Sequence, residues 1–267
     1  LIPPGFVALD EGRLLCHRDF VSALAERGWT TSTNVLDAKD VDVFRKLPDR
    51  ENVRVTFDGP RGKWLGYLKR HQAPLEPAEM GPGFYEAQAS LWCQAAGVGV
   101  APVIAFGRDD RGRDFFLSQD LVGFEPSDDW LKRVEREGAP LERINDLFRA
   151  LGRTIGRLHA AGLFHRDLYW CHLFVHETEP GDFDVRLIDL QRIHRPRWRL
   201  WRWRLKDLGQ FAFAFPPGWG SQEDLRTWFA AYRQKDHLGA FDIPLLNAVQ
   251  MRARFYGWRE NYRRRAG

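Results

Sequence analysis

The sequence predicts an α+β protein of two lobes, a strand-rich N-terminal lobe over residues 1–120 and a helical C-terminal lobe over residues 121–267. Three observations predict it. Up to about Asp120 the apolar residues fall in short runs separated by turn residues, which is the texture of strands. Beyond it, Ile144, Leu147, Phe148, Leu151, Ile155 and Leu158 recur at three- and four-residue steps, the stripe of a long amphipathic helix. The change falls across 119–126, where a joining segment is expected.

The elements follow in order. Val53-Arg54-Val55-Thr56-Phe57 alternates as a half-buried strand, Asp58-Gly59 suits a hairpin turn, and Trp64 to Lys69 reads as the returning strand. A loop rich in Pro and Gly follows. Tyr85 to Ala96 carries no breaker and reads as a helix stopped by Gly97, and Phe115 to Asp120 reads as another strand. The long amphipathic helix ends at Gly162. Leu173-Phe174-Val175 and Val185-Arg186-Leu187-Ile188 read as a small hairpin, with helical or irregular sequence from there to the end.

Composition narrows the function classes. The chain has 267 residues, 44% of them hydrophobic, which argues against disorder, and no apolar run reaches the roughly 18 residues of a spanning helix. Leu1-Ile2-Pro3-Pro4 lacks the basic and apolar regions of a secretory signal, and Cys16, Cys93 and Cys171 have no paired spacing, so a reducing, cytoplasmic setting is expected. Cys171, beside His172, reads as a buried thiol, because a metal site would need a second ligand pair. The formal charge is only +4, but Arg is concentrated between Arg186 and Lys206 and again between Arg252 and Arg265. Such segments are either solvated faces or contacts to phosphates on a substrate or membrane surface. No nucleic-acid recognition motif accompanies the charge, and no nucleic-acid partner is expected.

The strongest chemical pattern is His165-Arg166-Asp167 after the long helix, followed by a strand pair that ends at Asp189. Phosphoryl transfer needs one carboxylate to orient the attacking hydroxyl and take its proton, and another to hold cations bridging the nucleotide phosphates. Asp167 and Asp189 are spaced for these two tasks. Upstream, Lys69 closes a strand and Glu86 begins the next helix, the order in which a Lys binds phosphates and a helical Glu holds it. The alternative for Lys69 is an edge-strand lysine kept for solubility, and for Glu86 an ordinary acid of a helix start. Asp120, at the entry to the joining segment, is grouped with the nucleotide-binding residues. The tryptophans between Trp198 and Trp203 alternate with Arg and suit core packing, sugar stacking or a membrane interface.

Leu158-His159-Ala160-Ala161-Gly162 leading into His165-Arg166-Asp167-Leu168-Tyr169-Trp170-Cys171-His172 resembles the lipopolysaccharide core heptose kinases, the Kdo/WaaP family, distant relatives of protein kinases. The likeness continues through Ile188-Asp189-Leu190-Gln191-Arg192 and Arg202-Trp203-Arg204-Leu205-Lys206-Asp207-Leu208. It spans about Lys69 to Leu208, and both ends of the chain match loosely. It implies a two-lobed protein-kinase-like fold and ATP-dependent phosphorylation of a sugar, heptose or Kdo, of the lipopolysaccharide inner core. It also implies Mg2+, or Mn2+, as the cation, and peripheral contact with the cytoplasmic face of the inner membrane. By the same likeness Asp167 is the catalytic base, Asp189 the metal ligand, Lys69 the phosphate-binding Lys with Glu86 as its partner, and Asp207 the anchor of the catalytic loop. His159 is structural on this reading, and Arg199, Arg202 and Arg204 are candidates for the acceptor.

The pattern departs from protein kinases. His172 stands where they have Asn, so it is a candidate for cation or phosphate. Asp189-Leu190-Gln191 lacks the usual glycine, and no Ala-Pro-Glu motif follows, which favours a non-protein acceptor. The loop near Lys46 to Asn52 holds Pro48 and no Gly. Two rival readings remain at this level: an aminoglycoside- or choline-type small-molecule phosphotransferase, and a non-catalytic kinase-like nucleotide-binding protein. The joint presence of Lys69, Glu86, Asp167 and Asp189 argues against the second.

Overall fold

The computed structural model describes residues 2–58, 63–76 and 80–266, with backbone alone from residue 260 on. The expected turn at Gly59 and the last arginines of the second basic block therefore lie outside the described side chains. The chain divides into two compact units: Leu1–Trp92 with Ala101–Val122, and Cys93–Val100 with Gly123–Gly267. The α+β class and its order, an antiparallel sheet followed by helices, are as expected.

The first unit contains β1 (Phe6–Leu9), β2 (Leu14–His17), α1 (Val21–Glu26), α2 (Ser32–Asp37), β3 (Asp42–Lys46), β4 (Arg50–Phe57) and β5 (Trp64–His71). Most of α3 (Pro82–Ala95), β6 (Val103–Arg108) and β7 (Asp114–Gln119) complete it. The strands form one antiparallel sheet in the order β1-β2-β6-β7-β5-β4-β3. Alternation sorts the side chains to its two faces. Leu14, Val53, Val55, Phe57, Leu68, Phe115 and Leu117 share one core with Leu24 of α1 and Val35 and Leu36 of α2. Phe106 and Phe116 form a second cluster with Ala87 of α3.

The start of α3 sits hard against the sheet at Gly83. A Cβ there would lie 2.7 Å from the backbone of Phe115, so only glycine permits the approach. The Asp114 carboxylate then accepts hydrogen bonds from the Gly83 and Phe84 amides at 2.8 and 3.4 Å, satisfying two donors at the helix start. Burial nevertheless pushes the Asp114 pKa up to about 6.

The second unit contains β8 (Glu125–Pro126), α4 (Ser127–Arg136), α5 (Leu141–Ala160), β9 (Leu173–Glu179), β10 (Asp182–Leu187), α6 (Leu200–Phe213), α7 (Gln222–Tyr232) and α8 (Ile243–Ala266). Its small sheet runs β10-β9-β8. The apolar stripe of α5 is buried as its spacing requires, and Gly162 takes a left-handed φ of 72° just after the helix. Helix α5 packs closely on α7 because Gly152 and Gly156 face its backbone: a Cβ on them would lie 2.4 and 2.6 Å from the Trp228 and Tyr232 carbonyls. Residues Cys93–Val100 belong to this unit because the Leu187 amide donates to the Gly99 carbonyl at 2.9 Å and Val100 bridges Leu187.

Candidate active site

In the first unit Lys69 lies on β5, between β4 and β7, so the edge-strand alternative is excluded. Its Nζ donates to Glu86 Oε1 of α3 at 2.6 Å, with the two side chains 10% and 4% exposed. A pair this buried has exchanged solvation for one defined geometry. Asn52 of β4 is in register with Lys69, and β3 and β4 are joined by the tight turn at Leu47, Pro48 and Asp49, where the Leu47 amide donates to the Arg50 carbonyl at 2.8 Å. The glycine-free loop is therefore a hairpin tip. Asp120 is half-buried, its Oδ2 3.7 Å from Arg54 Nε and its Oδ1 accepting from the Leu121 amide at 2.9 Å.

In the second unit the loop after α5 is held from below by Asp207 of α6, which is fully buried. Its two carboxylate oxygens accept from the His165 amide at 2.6 Å and the Arg166 amide at 2.8 Å. These charge-assisted bonds fix the loop where Arg166 adopts a left-handed φ of 71°. Buried His159 approaches Asp207 Oδ2 at 3.4 Å and the Tyr232 hydroxyl at 3.2 Å. Trp170 anchors the next turn from the other side: its ring stacks on Phe211 at a centroid distance of 4.9 Å, and Phe211 stacks on Trp228 at 4.8 Å.

Two hydrogen bonds couple the loop to the segment that carries Asp189, one from the His165 imidazole to the Ile188 carbonyl and one from the Ile188 amide to the His172 carbonyl at 3.1 Å. His165 Nε2 lies 3.0 Å from the Ile188 carbonyl, and since a carbonyl only accepts, that nitrogen carries the hydrogen. Burial pushes the pKa of this imidazole down. His172 Nδ1 donates in the same way to the Asp167 carbonyl at 2.8 Å, leaving Nε2 4.0 Å from Asp189 Oδ2. Asp189 itself has a left-handed φ of 56°, a conformation that costs on the order of 1 kcal/mol or more and is held here by the hairpin before it. Asp167, Asp189 and His172 are thus brought together on one hydrogen-bonded frame.

Burial opposes charge on His172, yet its hydrogen bonds to the Cys171 side chain and the Asp167 carbonyl, with Asp189 nearby, outweigh it and carry the pKa up to about 9. No group of three or more His, Cys, Asp or Glu able to hold a metal occurs among the described residues. A Mg2+ ion fits this setting nonetheless, because Mg2+ takes one or two protein ligands and fills its shell with phosphate oxygens and water. Asp189 would hold it, joined by His172 only on loss of the imidazole proton.

The structure also shows what sequence reasoning missed. Arg192 Nη1 donates to Asp167 Oδ2 at 2.7 Å, and Lys206 Nζ donates to the Arg166 carbonyl. Each cation stands close in sequence to an acid singled out by the motifs, Asp189 and Asp207, and that adjacency was the available signal. Cys171 is exposed, correcting the buried thiol: in the turn Trp170–His172 the indole takes the buried position and turns the thiol outward. Cys16 and Cys93 are buried, and burial pushes both thiols up to about 12.

The three acceptor arginines do not share one face. Arg199 and Arg202 are exposed, whereas Arg204 is half-buried and lies beside Tyr232. Residues two apart on a helix point in different directions, so α6 separates Arg202 from Arg204. The tryptophans divide likewise: Trp198 and Trp201 are 80% and 69% exposed, while Trp203 packs on His194 and under the Arg166 guanidinium.

Comparison with known proteins gives the family. Residues 70–232 match the model of the lipopolysaccharide kinase (Kdo/WaaP) family. The chain is 29% identical over 247 residues to the lipopolysaccharide core heptose(I) kinase WaaP of Pseudomonas aeruginosa, covering 84% of this chain and 86% of that protein. It is 22% identical over 226 residues to the protein of the same name from Escherichia coli K12, covering 79% and 81%. A solved structure described as WaaP in complex with acyl carrier protein superposes with a TM-score of 0.71 at 23% identity, covering 91% of this chain and 98% of that one, which supports the fold. With the matched segment spanning more than half of the chain, this protein belongs to the lipopolysaccharide kinase (Kdo/WaaP) family.

Proposed function

We propose that this kinase transfers the γ-phosphoryl group of ATP to a hydroxyl of a heptose in the lipopolysaccharide inner core. The observation that carries the reading is the shared frame of Asp167 and Asp189, tied by the bonds from His165 to the Ile188 carbonyl and from the Ile188 amide to His172, whose imidazole holds the Asp167 carbonyl. On this reading Asp167 orients the sugar hydroxyl and accepts its proton, and Asp207 keeps the loop in place. Lys69, held by Glu86, binds nucleotide phosphates in an N-terminal lobe, residues 1–120, while residues 121–267 supply the catalytic and acceptor groups. Asp120 belongs to the nucleotide side. A bound Mg2+ or Mn2+ would neutralise phosphate charge. Asp189 is the side chain offered to that ion, and His172 as an imidazolium is suited to a phosphate oxygen.

The same reading assigns Arg199 and Arg202 to the anionic acceptor, because both are exposed beside Trp198 and Trp201, whose rings suit a sugar face or a lipid interface. Arg204, turned toward Tyr232, supports the helix instead. No described helix is long and apolar enough to cross a membrane, and we place the protein in the cytoplasm, peripherally at the inner membrane face. An acyl carrier protein, named as the partner in the WaaP complex, is carried over as a candidate partner and is tested by co-purification.

The function is tested by incubating the protein with ATP, Mg2+ and lipopolysaccharide cores lacking phosphate, then locating any added phosphate by mass spectrometry. Phosphate on heptose supports the assignment; phosphate on Kdo alone moves it to that sugar. Transfer to small aminoglycosides or choline in place of the core would overturn it.

A further inference from the structure

The phosphoryl group in flight carries its charge on three equatorial oxygens, and enzymes of this reaction class stabilise it mainly with fixed or incoming cations. Between Asp167 and His172 the chain reads Leu168, Tyr169, Trp170, Cys171, with no Lys or Arg. A cation must come from another segment. Three lie close to the loop. The Arg166 guanidinium is stacked over Trp203 at 5.2 Å, and Lys206 is half-buried and bound to the Arg166 carbonyl. Arg192 is different: its side chain is 56% exposed and pairs with Asp167 Oδ2 at 2.7 Å, the one ion pair it forms among the described residues.

Its backbone is nevertheless rigidly placed. Arg192 ends the short turn Leu190–Arg192, flanked by buried Leu190 and Ile193. Two residues on, His194 exchanges both backbone hydrogen bonds with Phe164, at 2.9 and 2.8 Å, which stitches this segment to the catalytic loop three residues before Asp167. The guanidinium thus stands on a fixed base beside the Asp167 carboxylate. It also occupies one of the two oxygens of the carboxylate that would receive the acceptor hydroxyl.

We propose that Arg192 is a catalytic residue of the kinase, an arginine supplied in cis that leaves Asp167 as the acceptor hydroxyl arrives and binds the equatorial oxygens of the transferring phosphoryl group. This rests on the kinase reading, with Asp167 as base. In the step, a bond forms between the acceptor oxygen and the γ-phosphorus while the bond from that phosphorus to the bridging oxygen breaks, its electron pair leaving with ADP. The hydroxyl proton passes to Asp167, and Arg192 keeps its own protons throughout. One guanidinium would thereby serve two states, shielding the carboxylate before substrate binds and stabilising phosphoryl charge during transfer.

The test compares Arg192→Ala, Arg192→Lys and, as a control, Asp167→Asn, each assayed for kcat on the lipopolysaccharide core and for Kd of ATP by calorimetry. Arg192→Ala is expected to lower kcat by about 10²- to 10³-fold, the range for loss of one transition-state donor, with ATP affinity within about threefold of wild type. Arg192→Lys should keep part of the rate, and methylguanidinium added to Arg192→Ala, but not to Asp167→Asn, should restore some of it. Normal kcat in Arg192→Ala with Asp167→Asn inactive would overturn the inference and leave the kinase reading standing. A loss in Arg192→Ala that tracks a lowered Tm and resists methylguanidinium would assign a structural role and overturn it as well. An active Asp167→Asn would remove the base assignment, and the inference with it.

Discussion

Two ion pairs of nearly equal length sit in different units and in opposite surroundings. Lys69 and Glu86 meet at 2.6 Å with side chains 10% and 4% exposed; Arg192 and Asp167 meet at 2.7 Å with 56% and 23%. Distance alone does not separate them, but burial does. A buried pair cannot be opened without leaving a charge in a poor solvent, so its geometry is preset and its partners depend on each other. An exposed pair is easily exchanged for water or for another anion. The first suits a clamp that must be ready before substrate arrives, and the second suits a group that must change partners.

That contrast is most directly broken through stability. Glu86→Ala should destabilise the protein by about 3 kcal/mol, because it breaks a buried ion pair from one side, and in a double-mutant cycle with Lys69→Met the two effects should be strongly non-additive. Strict additivity in urea unfolding would show that the pair is uncoupled. Arg192→Ala, by contrast, should cost less than about 1 kcal/mol, the range of exposed pairs. An equal loss from both would abolish the distinction.

Acid should report on the first unit through His71, at the end of β5 and two residues from Lys69. Burial, and then the charges of Lys69 and Arg50, push its pKa from 6.5 down to about 4, against a smaller opposing influence of Asp49. Between these values the folded state binds fewer protons than the unfolded chain, so the contribution is fully present above pH 6.5 and is lost as pH falls toward 4. Relative to His71→Phe, wild-type stability should fall by on the order of 3 kcal/mol across that window. Asp114, opposite His71 in register, has its pKa raised to about 6 and contributes with the reverse sign, which is why the comparison must retain it in both proteins. Parallel stability curves for the two proteins would show that His71 does not titrate as its burial requires.

How far the sequence could be read differs between the units for the same physical reason. The second unit was legible because its signals are local: α5 announces itself by a continuous stripe, β9 and β10 are neighbours in sequence, and Asp167 and Asp189 bracket them. Sheet order in the first unit was not, because β2 pairs with β6 across most of that unit, and alternation tells which face a residue occupies without naming its partner. For the same reason Glu86 was a weaker candidate than Asp167. The carboxylate meets Lys69, 17 residues away, in a buried pair, and burial is a property that no local pattern carries. Arg192 and the outward-facing Cys171 were missed because each sits in a short turn, Leu190–Arg192 or Trp170–His172, whose rotation determines which side chain is presented.

The central claim, that Asp167 is the base of a sugar kinase, is tested most directly by single-turnover transfer from ATP to the lipopolysaccharide core in Asp167→Asn. The amide cannot accept the acceptor's proton, so the rate should fall by about 10²- to 10⁴-fold while ATP binding and Tm stay near wild type. Transfer at the wild-type rate by this variant would contradict the account.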